Sequence, residues 1–123
     1  MLELMDSLKA DAPIGTKISG DMIQAPDASL VVTMEEANEF SIADLDEAVA
    51  DFMDTYDGAV NISKVVLPDG YIFTCQNVPE IGGTNFWMQA RRQLNGKAYS
   101  IQATAATPEQ QQNAVKFVKS IHA

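Results

Sequence analysis

The chain is short of the residues that most protein chemistry needs. Its 123 residues include one cysteine (Cys75), one histidine (His122) and one tryptophan (Trp87). A single cysteine excludes an intramolecular disulfide framework and fits a reducing compartment, so a cytoplasmic location is the expectation. One Cys and one His do not make a zinc cluster. Positive charge is scarce as well: eight Lys and Arg stand against 17 Asp and Glu, a net charge of −9. So acidic a chain repels polyphosphate, which argues against nucleic acid and against an anionic membrane surface. No window approaches the roughly 18 apolar residues of a membrane-spanning helix. The opening MLELMDSLKADAP carries Glu3 and Asp6 where a secretory signal would be basic, so no signal peptide is expected. Neither G-x-x-x-x-G-K nor G-x-G-x-x-G occurs, which removes the common phosphate loops.

What is present reads as one globular domain. The length suffices for a single core without staples, and 46% hydrophobic with 20% charged residues is ordinary for such a domain. The charge is unevenly spread. Up to Asp57 there are 14 acidic residues against Lys9 and Lys17, whereas from Gly58 onward three acidic residues face six basic ones. The whole negative excess therefore lies in the first half.

Hydrophobic spacing predicts the elements. Leu2, Met5 and Leu8 suggest a short helix in the first ten residues, ended before Pro13 and Gly15. Thr16–Gln24 reads as a weak strand with Gly20 inside it, APDAS as a turn, and Leu30–Met34 as a strand. Ser41 opens an amphipathic helix in which Ile42, Leu45, Val49, Phe52, Met53 and Tyr56 form one apolar stripe, stopped by Asp57-Gly58. Ala59–Leu67 and Tyr71–Gln76 flank Pro-Asp-Gly as a hairpin, with Leu67 facing Tyr71, Val65 facing Phe73 and Ser63 facing Cys75. Thr84–Leu94 and Lys97–Ala105 flank Asn95-Gly96, the strongest two-residue hairpin signal. That turn pairs Leu94 with Lys97, and so Ala90 with Ile101, Met88 with Ala103 and Phe86 with Ala105 on an apolar face. Gln89 with Gln102, Arg91 with Ser100 and Trp87 near Thr104 fall on the other, mostly polar face. Thr107, Pro108 and Gln110 then make a capping box for a last helix whose inner face is Ala114, Phe117, Val118 and Ile121. The expected fold is α+β: an antiparallel β-sheet packed by amphipathic helices.

The stretch FWMQARRQLNGKAYSIQATA, the PDG hairpin and a final helix opened by TPEQQ resemble the PsbP-like superfamily over about Thr16 to Ile121. Its relatives include DcrB-type bacterial domains and a Ran GTPase-binding nuclear transport factor. The resemblance implies an α/β/α sandwich-like fold, a bacterial branch of unknown function, and a role as a protein-binding accessory rather than an enzyme. It carries no functional residue onto this chain.

Read residue by residue, catalysis finds no convergent set. His122 is expected as a cation at the end of the last helix, at a frayed terminus where no nucleophile could be held in register. Cys75, beside Phe73 in a strand and without a basic neighbour, is expected as a core thiol. DLDEAVADFMDTYDG lacks the spacing of a calcium loop, so neither metal nor cofactor is expected. Two surfaces remain as candidates for binding a protein partner. Asp44, Glu47, Asp51 and Asp54 recur along one helix face opposite Leu45 and Val49, either as a solvated face or as a dock for a basic partner. Trp87 with Arg91 is either covered by the second helix or exposed as an aromatic–arginine anchor. The alternative function is a carrier holding a small apolar ligand between sheet and helix, among Phe52, Met53, Met88 and Phe117.

Overall fold

In the computed structural model, which describes residues 2–37, 45–78 and 85–123, strand-forming runs dominate the chain. The order is β1 (Leu2–Glu3), a 3-10 turn (Met5–Ser7), β2 (Lys9–Ala10), β3 (Lys17–Ser19), β4 (Met22–Gln24), β5 (Val31–Glu36) and α1 (Leu45–Thr55). It continues with β6 (Val60–Leu67), β7 (Gly70–Gln76), β8 (Phe86–Leu94), β9 (Lys97–Ala105) and α2 (Pro108–Ser120). Seven of these strands form one antiparallel sheet in the order β3-β4-β5-β9-β8-β7-β6, while β1 and β2 pair separately. The expected α+β class holds at this level.

The register centred on Asn95-Gly96 is the one its turn chemistry requires. Both residues adopt left-handed backbone, with φ of 53° and 79°, and every expected pair from Leu94↔Lys97 to Phe86↔Ala105 is formed. At the preceding hairpin the register differs by one residue from the expectation. Leu67 pairs with Gly70, so Val65 faces Ile72, Lys64 faces Phe73 and Ser63 faces Thr74. Gly70 belongs to the strand instead of the loop: it pairs with Arg92 of β8, which runs so close that a Cβ there would lie 1.9 Å from the Arg91 carbonyl oxygen.

Two other expectations are corrected. The first ten residues do not form a helix: Asp6 and Ser7 take left-handed backbone (φ 55° and 64°), and the chain doubles back as the β1–β2 pair. So short a segment gains too few hydrogen bonds to repay helix nucleation, whereas the reversal buries Leu4, Leu8 and Ala10. Thr16–Gln24 is likewise two strands joined at Gly20-Asp21, with Ser19 paired to Met22 and Gly20 at φ 61° supplying the Gly-first hairpin turn.

Alternation sends side chains of the central strands to two separate cores. Met88, Ala90, Tyr99, Ile101 and Ile72 pack with Ala114, Phe117 and Val118 of α2. Tyr71, Phe73, Cys75 and Trp87 pack with Val49 and Phe52 of α1. On the α1 side the buried core of the sheet is confined to the β7 row and Trp87, since Gln89 and Arg91 on the same row are half-buried and Thr33, Glu35 and Thr104 further along that side are exposed. Thr107 caps α2 by accepting from Gln110 N, and the Gln110 side chain accepts from Ala106 N and donates to the Ala28 carbonyl, tying the helix start to the Ala25–Ala28 turn.

Candidate functional site

The acidic helix is built as its spacing requires. Val49 and Phe52 point into the core and are buried, while Asp46, Glu47, Asp51 and Asp54 are exposed on the outer face. Asp44 and the Ser41 cap lie outside the described residues. Asp46 donates nothing but accepts a charge-assisted bond from Lys64 Nζ at 2.7 Å, which sets the start of α1 beside β6. Both partners are largely exposed, so the pair positions more than it stabilises.

Trp87 is not an exposed anchor. It is 6% accessible and stacks on Phe52 at 5.3 Å between centroids with 18° between planes. Phe52 also meets the edge of Phe73 at 5.6 Å, so α1 covers the tryptophan through one phenylalanine that locks three rings together. Among the described residues no acceptor meets Trp87 Nε1. Arg91 shares the face of Trp87 but sits four residues further along β8, opposite Tyr71 and Ser100, and is half-buried. The two residues therefore form no joint exposed patch.

The neighbouring Arg92 holds the role that the sequence reading did not assign. It is buried, donates from Nε and Nη2 to the two Asp69 oxygens at 2.7 and 2.8 Å, and donates from Nη1 to the Val118 carbonyl. One guanidinium thus joins the Pro68-Asp69 turn to the C-terminal end of α2, where the helix dipole favours a cation. The signal was available: the Asn95-Gly96 register sets Arg92 opposite Tyr99, next in the apolar row after Met88 and Ala90, where a charge must find a partner. Gln111, within the polar run Gln110–Gln112, has a second such role that composition does not signal. It is buried, and its Nε2 donates to both Cys75 O and Trp87 O, reaching the β7–β8 ladder from α2.

Reactive groups are restrained by their surroundings. Cys75 is fully buried, and loss of water pushes its thiol up to about 11. Tyr99, also buried, donates to Asp6 Oδ2 at 2.7 Å; burial first, then that bond and the charges of Asp6 and Glu36, push its hydroxyl up to about 12. His122 is neither helical nor frayed. α2 ends at Ser120, and the His122 backbone exchanges two hydrogen bonds with Lys9, each 2.8 Å, while the ring stays exposed.

The four residues of the carrier reading do not line one pocket. Met88 and Phe117 belong to the α2 core, whereas Phe52 and Met53 belong to the α1 core across the sheet. An apolar cleft of about 190 Å³ does open, but beneath the Gly20-Asp21 turn, among Leu4, Met5, Ile18, Ile23 and Met34. Among the described residues no group of three or more His, Cys, Asp or Glu side chains converges as metal ligands would, and no helix is long and apolar enough to cross a membrane. Comparison with known proteins returns no matching family model, no curated relative and no solved structure.

Proposed function

We propose that this chain is a non-catalytic docking domain that holds a basic protein partner through the outer face of α1. The observation that carries the reading is the division of that helix: Val49 and Phe52 anchor it to the sheet, and every acid on its first three turns is left facing solvent. A fixed row of carboxylates raises the encounter rate of a cationic partner and repels acidic ones. Such a surface needs no titratable group of unusual reactivity, in keeping with the buried thiol and the exposed, backbone-tied histidine. In the same reading the fold is of the PsbP-like, α/β/α sandwich kind, supported by α1 and α2 packing against opposite rows of β7 and β8 side chains.

The test is a triple charge reversal, Glu47→Lys with Asp51→Lys and Asp54→Lys. None of the three is in the core, so the circular dichroism spectrum is expected to be unchanged. Capture of a Lys-rich peptide by the native protein is expected at low salt, to weaken as the Debye length shortens toward about 8 Å at physiological ionic strength, and to vanish in the variant. Undiminished capture by a folded triple variant would reject the surface.

A further inference from the structure

The seven-stranded sheet ends in two unequal edges. β3 is three residues long, exposed throughout and carries Lys17, the blunted form in which edge strands are usually left. β6 is eight residues long. Leu67 and Gly70 close a two-residue turn, so antiparallel alternation directs the backbone groups of Leu67, Val65 and Ser63 toward β7 and those of Lys64 and Val66 outward. The same alternation holds elsewhere in the sheet, where Gln93 N bonds Asp69 O and Ala37 N bonds Ala98 O as the turn at Asn95-Gly96 requires. Among the described residues no backbone group meets the outward edge of β6. Val66 is 79% exposed there, and Val60 47%.

Charge decides what can occupy this edge. A second copy is disfavoured, because antiparallel self-pairing centred on β6 brings two acidic helices together in chains of net charge −9. A basic segment meets the opposite situation, since α1 starts beside this edge, with Asp46 bonded to Lys64 at 2.7 Å and its own charge already neutralising that lysine.

We infer that β6 accepts an extended basic segment of a partner protein as an eighth strand, its Lys or Arg side chains turned toward the acidic face of α1. Backbone bonds to Lys64 and Val66 provide the grip, and the acids provide the selection for charge. The inference rests on the docking reading above and adds to it the conformation of the ligand and the element that binds it.

The experiment uses the full chain, isotope-labelled, with two synthetic probes of equal charge: a peptide of alternating Lys and Val, and a helical Lys-Ala peptide. The extended probe is expected to shift the Lys64 and Val66 amide signals and to protect them from hydrogen exchange, and to bind more tightly than the helical one. Val66→Pro removes an outward donor and spares the β7 ladder, and it is expected to weaken the extended probe about tenfold. Equal binding of both probes, with shifts confined to α1 and no effect of Val66→Pro, would overturn the edge inference and leave the docking reading standing. Binding of neither probe would overturn both. A concentration-dependent dimer that Val66→Pro abolishes would assign the edge to a second copy and overturn the peptide. Should Val66→Pro fail to fold, protection at Lys64 and Val66 in the native chain decides alone.

Discussion

Arg92 and Asp69 meet through two parallel bonds of 2.7 and 2.8 Å, and the same guanidinium reaches the Val118 carbonyl of α2. A loop, a central strand and a helix end thus depend on one side chain. Arg92→Met fills similar space but strands the Asp69 carboxylate and frees the helix carbonyl. The expected loss is about 3 kcal/mol, read from urea unfolding, toward the low end for a broken buried pair because Asp69 is partly wet. Asp69→Asn in the same background is expected to cost little more, since the two residues act as one unit.

Two glycines separate space from backbone conformation. Gly70→Ala would place a Cβ 1.9 Å from the Arg91 carbonyl, against backbone that cannot yield without parting β7 from β8. Gly20 has open space around its missing Cβ but a φ of 61°. Gly20→Ala is expected to cost about 1 kcal/mol for the left-handed backbone alone, and Gly70→Ala several times more, up to failure to fold. Equal losses in a thermal melt would contradict the close approach of the strands.

Alkaline pH should loosen the fold in a defined window. Burial raises Cys75 from an ordinary 9.0 to about 11, and burial with the Asp6 bond raises Tyr99 from 10.0 to about 12. The unfolded chain therefore releases these protons first, and stability present below pH 9 is lost as pH rises through 11 for the thiol and through 12 for the phenol. The urea midpoint is expected to fall steadily above pH 9, and less steeply in Cys75→Ala. A level midpoint across that range would count against both burials. In the same experiment, thiol reagents should label Cys75 rapidly only once denaturant has unfolded the chain.

Gln111→Met tests the link between α2 and the β7–β8 ladder. Both carbonyls keep their places in the sheet, so the loss is limited to two side-chain bonds, about 1–2 kcal/mol. Trp87 fluorescence offers a local readout, because one of the two acceptors is its own carbonyl.

The meander was legible where turn chemistry is strict and obscure where a turn tolerates several lengths. Asn95-Gly96 admits one register, and each pair it implies is found. Pro-Asp-Gly does not say whether its glycine is loop or strand; that is settled by the pairing of Gly70 with Arg92 of β8, a tertiary fact. Gly20-Asp21 was itself a hairpin signal, masked by the shortness of the strands on either side. In the acidic helix the apolar stripe identified the buried face correctly, and with it the outward position of Glu47, Asp51 and Asp54. Trp87 was harder, since a sheet face that alternates Trp, Gln and Arg reads as polar until Phe52 is seen to cover one end of it. Arg91 and Arg92 show the remaining gap: adjacent, chemically identical residues differ in role only through the row each one joins.

The paired backbone bonds between Lys9 and His122 couple two segments that ordinarily loosen one at a time. Peeling the β1–β2 pair away would uncap the run that follows α2, and unwinding that run would release the cover formed by Leu4 and Leu8. A fusion or tag that strains either extremity should therefore register at the opposite one, as faster amide exchange across the bridge.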